Sequence, residues 1–197
     1  MLSRILLTGL TVLGLSSPAF AHLDPEAHGS FASGFTHPIF GLDHVLAMIA
    51  VGLWAVLLDG KALWGLPSAF VGAMIAGFGL ALAGVPLPAV EPMIMGSVVL
   101  LGALVAFALQ LKWTHAAVVV GIFGLFHGYA HGGEIGSAGE LGYALGFVVA
   151  TALLHALGLL IGYAGKLNVS PTSRRAEFLT RILGAATAVI GLTLIAG

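Results

Sequence analysis

Ionisable side chains are scarce in this chain, and those present fall into groups. One group is the run HPIFGLDH, which holds His37, Asp43 and His44. A second is FHGYAHGGE, with His127, His131 and Glu134 at i, i+4 and i+7, one stripe if a helix persists through Gly132-Gly133. Glu91, directly before Pro92, is the third element. Imidazole with carboxylate suits Ni(II), Co(II), Zn(II) or Cu(II), and not the softer Cu(I). The chain has no cysteine, which excludes thiolate ligation and disulfides. The seven residues are therefore candidate metal ligands. For any one buried histidine the alternative is a hydrogen bond to a neighbouring helix. Four histidines and three acids on one face of a membrane are harder to explain that way.

Three further histidines are weighed beside these. His22 and His28 lie in the acidic run HLDPEAH. If the chain is cleaved before His22, its new amine and imidazole form a chelating pair that could capture metal; the alternative is a solvated tail. His155 falls about 20 Å into an apolar stretch. It could serve as an inner transit station, or it could be a packing histidine.

The elements that must position these groups follow from composition. Hydrophobic residues make up 59% of the 197, and charged residues 8%, against about 25% charged in a soluble domain. The mean hydropathy is +1.09. The bilayer is the natural solvent for such a chain. A net charge of −1 with no basic block excludes a nucleic-acid partner. Residues 1–21 carry Arg4, an apolar run and the Ala19-Phe20-Ala21 cleavage pattern of a signal peptide. Six apolar stretches follow, at 39–58, 62–83, 92–111, 115–132, 141–164 and 178–196. Each is near the length of about 20 residues that a helix needs to cross. The expected fold is all-α: a polytopic membrane protein whose residues 22–197 form a single six-helix domain.

Charge orients it. After residue 21, Lys61, Lys112, Lys166, Arg174, Arg175 and Arg181 fall in or beside one set of connections. The other set holds Asp24, Glu26, Glu91, Glu134 and Glu140 with no Lys or Arg. The basic loops are then cytoplasmic, the mature N-terminus is outside, and the setting is a bacterial-type inner membrane. In this topology all three polar groups meet at the outer side. Pro38 suits a first turn, so His37 is expected at a helix cap, with Asp43 and His44 roughly 7 Å inside. Small residues four apart, as at Gly124, Gly128 and Gly132, predict close helix packing.

At these residues the chain resembles the HupE/UreJ family of nickel and cobalt permeases. That family is marked by H-x5-D-H in its first helix and FHG-x-[AV]-HG-x-E in its fourth. Both motifs match without departure at His37, Asp43 and His44 and at Phe126 to Glu134. The resemblance implies metal uptake that supplies nickel enzymes such as hydrogenase or urease, with Ni2+ or Co2+ as cargo. It implies no permanent cofactor and no enzymatic activity. No P-loop is present, and membrane potential could draw a dication inward. Two other readings stay open at this point. One is a haem-binding electron-transfer protein, with His44 and His127 or His131 as axial ligands. The other is an intramembrane metal-dependent hydrolase with Glu134 as base.

Overall fold

The computed structural model describes residues 30–133, 135, 139–167 and 174–196. The expected signal peptide, His22, His28 and Glu134 lie outside them. Within the described residues the fold is all-α: α1 (Ser30–Phe40), α2 (Leu42–Leu58), α3 (Ala62–Leu82), α4 (Val90–Ala106), α5 (Trp113–Gly133), α6 (Glu140–Leu167) and α7 (Arg174–Ala196). Four of these, α3, α5, α6 and α7, are long and apolar enough to cross a membrane. The pair α1–α2 makes a fifth candidate if its two helices count as one broken span.

The first apolar stretch departs from the expected single helix. The chain bends by 80° between α1 and α2. Gly41 at the junction is extended (φ −80°, ψ 109°), which breaks the helical run. Pro38 lacks the N–H that would bond within α1. The short α1 is held from outside: Cβ atoms at Gly34 and Gly146 would overlap the backbone of the opposing helix, so α1 and α6 lie backbone to backbone. His37 therefore sits in the last turn of α1, not at a cap. Asp43 and His44 sit in the first turn of α2, not about 7 Å inside it. The third stretch is also shorter than expected. It ends at Ala106 rather than at 111, where Ala108 takes a left-handed conformation (φ 49°) and turns the chain.

Packing follows the small residues. A Cβ at Gly124 or Gly128 would overlap the backbone of Phe70 or Met74, and one at Gly132 would press on Phe78 and Ala81, so this stripe of α5 lies flat on α3. Gly52 of α2 meets the backbone of His155 on α6 in the same way, and Gly102 of α4 meets Gly184 and Ala188 of α7. The resulting core contains Met48, Leu53, Trp54, Phe70, Met74, Leu101 and Phe147, all at most 1% exposed.

The basic residues close one end of the bundle. Lys166 Nζ donates to Val56 O (2.9 Å) near the end of α2, and Arg181 Nε donates to Ala106 O (2.8 Å) at the end of α4. Both satisfy carbonyls that a helix terminus leaves without a partner, and both place a cation at the negative end of a helix dipole.

Candidate metal site

The site is assembled at the opposite end, from α1, α2 and α5. The bend at Gly41 folds the end of α1 against the start of α2, so His37 and His44 meet edge to face with ring centroids 6.1 Å apart. α5 brings His127 and His131 to the same place on successive turns. The His131 ring lies 4.6 Å from both His37 and His44, and the His127 ring lies 5.0 Å from His44. Four imidazoles separated by up to 94 positions in sequence thus form one cluster. His44, His127 and His131 are buried, and His37 is half-buried. The α2 and α5 backbones share almost no close approach, so the two motifs meet through their side chains.

Asp43 orients the cluster. Its Oδ1 stands 2.8 Å from His44 Nδ1, near enough to hold the ring electrostatically although off the ideal hydrogen-bond axis. The far nitrogen, His44 Nε2, lies 2.6 Å from His131 Nε2. Between two neutral imidazoles only one of these nitrogens can carry the proton. His127 is fixed differently. Its Nδ1 is 2.9 Å from Phe123 O, and since a carbonyl only accepts, Nδ1 is the protonated nitrogen. His127 Nε2 is then a bare lone pair, buried and without a hydrogen-bond partner among the described residues. Leaving such a group unpaired costs about 1–3 kcal/mol.

This is the arrangement of a metal-binding histidine, in which an oxygen holds one ring nitrogen and the other faces the ion. Among the described residues, however, no three donors converge on one point as they stand. Two nitrogens bound to one ion at about 2.0–2.1 Å would lie roughly 3 Å apart, so the 2.6 Å pair needs a small ring adjustment to admit one. The same spacing leaves no slot for a macrocycle between His44 and His131 as they stand, so that pair is not arranged as the axial ligands of a haem.

Aromatic rings wall the cluster. Phe147 lies 4.2 Å from His131, Tyr143 6.4 Å from His37, and Phe70 5.3 Å from His127. None belongs to the two motifs. The available signal was spacing: Tyr143, Phe147, Thr151 and His155 stand four apart and face inward together along α6. Of the remaining candidates, Glu91 is exposed in the first turn of α4 and makes no ion pair with a described residue. α5 ends at Gly133, immediately before Glu134. His155 is buried deep in α6, away from the four-imidazole cluster.

A family model described as HupE / UreJ protein matches residues 10–194. Protein HupE of Rhizobium leguminosarum bv. viciae is 44% identical over 191 residues, which span 96% of each chain. No solved structure matches.

Proposed function

The chain belongs to the HupE/UreJ family of multi-pass membrane proteins, and from that premise we propose that it carries a divalent transition metal inward across the membrane, nickel first and cobalt second. The observation that carries the proposal is His127 Nε2, a buried lone pair with no hydrogen-bond partner among the described residues; its ring lies 5.0 Å from His44, whose Nε2 is 2.6 Å from His131 and whose ring Asp43 orients. A structural histidine would have its second nitrogen satisfied. A ligand keeps it for the ion. His37, Asp43, His44, His127 and His131 form the selecting site, with Glu91 and Glu134 as further carboxylate donors and His22 and His28 as a first point of capture.

The topology in this reading has six spans after a cleaved signal peptide. The broken α1–α2 pair is the first span and α4, at about 25 Å, is a short third. The end capped by Lys166 and Arg181 faces the cytoplasm, and the imidazole end faces out. A dication moving inward gains about 2.3 kcal/mol per charge per 100 mV of membrane potential, which is sufficient drive without ATP.

The test is uptake of radioactive nickel by cells with and without the gene, with cobalt and zinc as competitors. Gene-dependent nickel accumulation that cobalt suppresses more strongly than zinc is the expected result. No gene-dependent accumulation of any of the three would refute the proposal.

A further inference from the structure

Among the described residues, His155 is the one buried histidine that lies outside the cluster. It lies fifteen residues into α6, about 22 Å from the start of that helix, and is 1% exposed. Neither of its ring nitrogens has a hydrogen-bond partner among the described residues. His127 shows what a helical histidine in this bundle can do: it bonds the carbonyl four residues back. His155 does not take the equivalent bond to Thr151 O. A leucine or phenylalanine would fill the same space without the cost of two unpaired polar atoms, so stability does not account for an imidazole here.

Its surroundings form a line from the cluster inward. The His155 ring packs edge to face on Phe70 at 5.1 Å, and the other neighbour of Phe70 is His127 at 5.3 Å. One phenylalanine ring therefore separates the innermost imidazole of the cluster from His155. One turn nearer the cluster, on the same pair of helices, Thr151 Oγ1 lies 3.6 Å from Met74 Sδ. That adds a hydroxyl and a thioether beside an otherwise apolar path. On the far side, Gly52 lets α2 lie against the His155 backbone.

We propose that His155 is a second, mid-membrane station for the transported dication, reached from His127 when the Phe70 ring moves aside. The inference rests on the uptake reading. It adds the residue that receives the metal after the first site releases it. Imidazole suits Ni(II), Co(II) and Zn(II) alike, so the station passes the ion on and selection stays with the cluster.

The experiment uses the purified full chain in proteoliposomes with a nickel-sensitive dye inside and nickel chloride outside. Nickel bound in detergent counts the chains whose cluster is intact. Per such chain, His155→Leu should transport at least about tenfold more slowly than wild type, with its bound nickel retained at the cluster. His155→Gln, which restores a donor oxygen, should transport several-fold faster than the leucine variant. Transport by His155→Leu at the wild-type rate would make His155 a packing residue and overturn the station. So would a loss that His155→Gln does not relieve, or one accompanied by loss of nickel binding. A wild-type protein that binds nickel but moves none would instead refute the uptake reading itself.

Discussion

The two ends of the bundle treat polar side chains in opposite ways. At the basic end, Lys166 and Arg181 reach back to Val56 O and Ala106 O, and Lys166 Nζ also lies 3.7 Å from an Asp59 carboxylate oxygen. These side chains are between a third and two-thirds exposed, and each has helix-end carbonyls or water to bind. At the other end, His44, His127 and His131 are almost fully buried, and His127 keeps a nitrogen that nothing described satisfies. The first pattern is what helix termini require of any membrane bundle. The second destabilises the fold unless something else binds there. Burial combined with leftover donor capacity, and not charge alone, is what singles out the imidazole end as the proposed site.

That contrast can be broken most sharply at the cluster itself. His44→Leu or His131→Leu removes a proposed ligand and fills its space with apolar volume. Uptake should fall by more than about 100-fold, while the amount of folded protein in the membrane stays level or rises. Immunoblotting of membranes beside a nickel uptake assay reads both. Asp43→Asn keeps the shape and removes only the charge that orients His44, so a loss of about 10–100-fold is expected in the same assay.

Acidification is a graded version of the same loss. Ligation needs neutral imidazole, and binding the ion releases protons. Uptake at fixed membrane potential should therefore decline steadily as the outer medium is acidified, and tighten again when pH is restored. A rate that rises with acidity would point to groups other than histidine.

The smallest effect belongs to the basic end. Arg181→Ala breaks an exposed contact to Ala106 O, so stability should drop by about 0.5–1 kcal/mol. Nickel uptake per folded chain should not change. A transport defect there as large as that of Asp43→Asn would erase the distinction between the two ends.

Much of this was legible in the sequence, for identifiable reasons. The stripe Gly124, Gly128 and Gly132 announced close packing, and α5 lies flat on α3 along it. His44 and His131 were expected to share a pocket, and their nitrogens meet at 2.6 Å. The bend at Gly41 was hidden because the residues around it are as apolar as a continuous helix would be. What breaks the run is the backbone of one glycine together with the docking of α1 on α6. The early end of α4 was hidden for a similar reason, since Phe107, Ala108 and Leu109 continue the hydropathy while Ala108 turns the chain. The walls Phe70, Phe147 and Tyr143 could not be assigned from motifs at all. Their role depends on how α3 and α6 are rotated, which only packing decides.

In the proposed transporter the buried imidazoles hold the metal. X-ray absorption on the purified, nickel-loaded protein addresses it directly. The spectrum should show at least two nitrogen donors at about 2.0–2.1 Å, with the outer scattering pattern of imidazole rings, and a clear loss of that pattern in His44→Leu. A shell made only of oxygen, or an imidazole signal unchanged in both His44→Leu and His131→Leu, would contradict it.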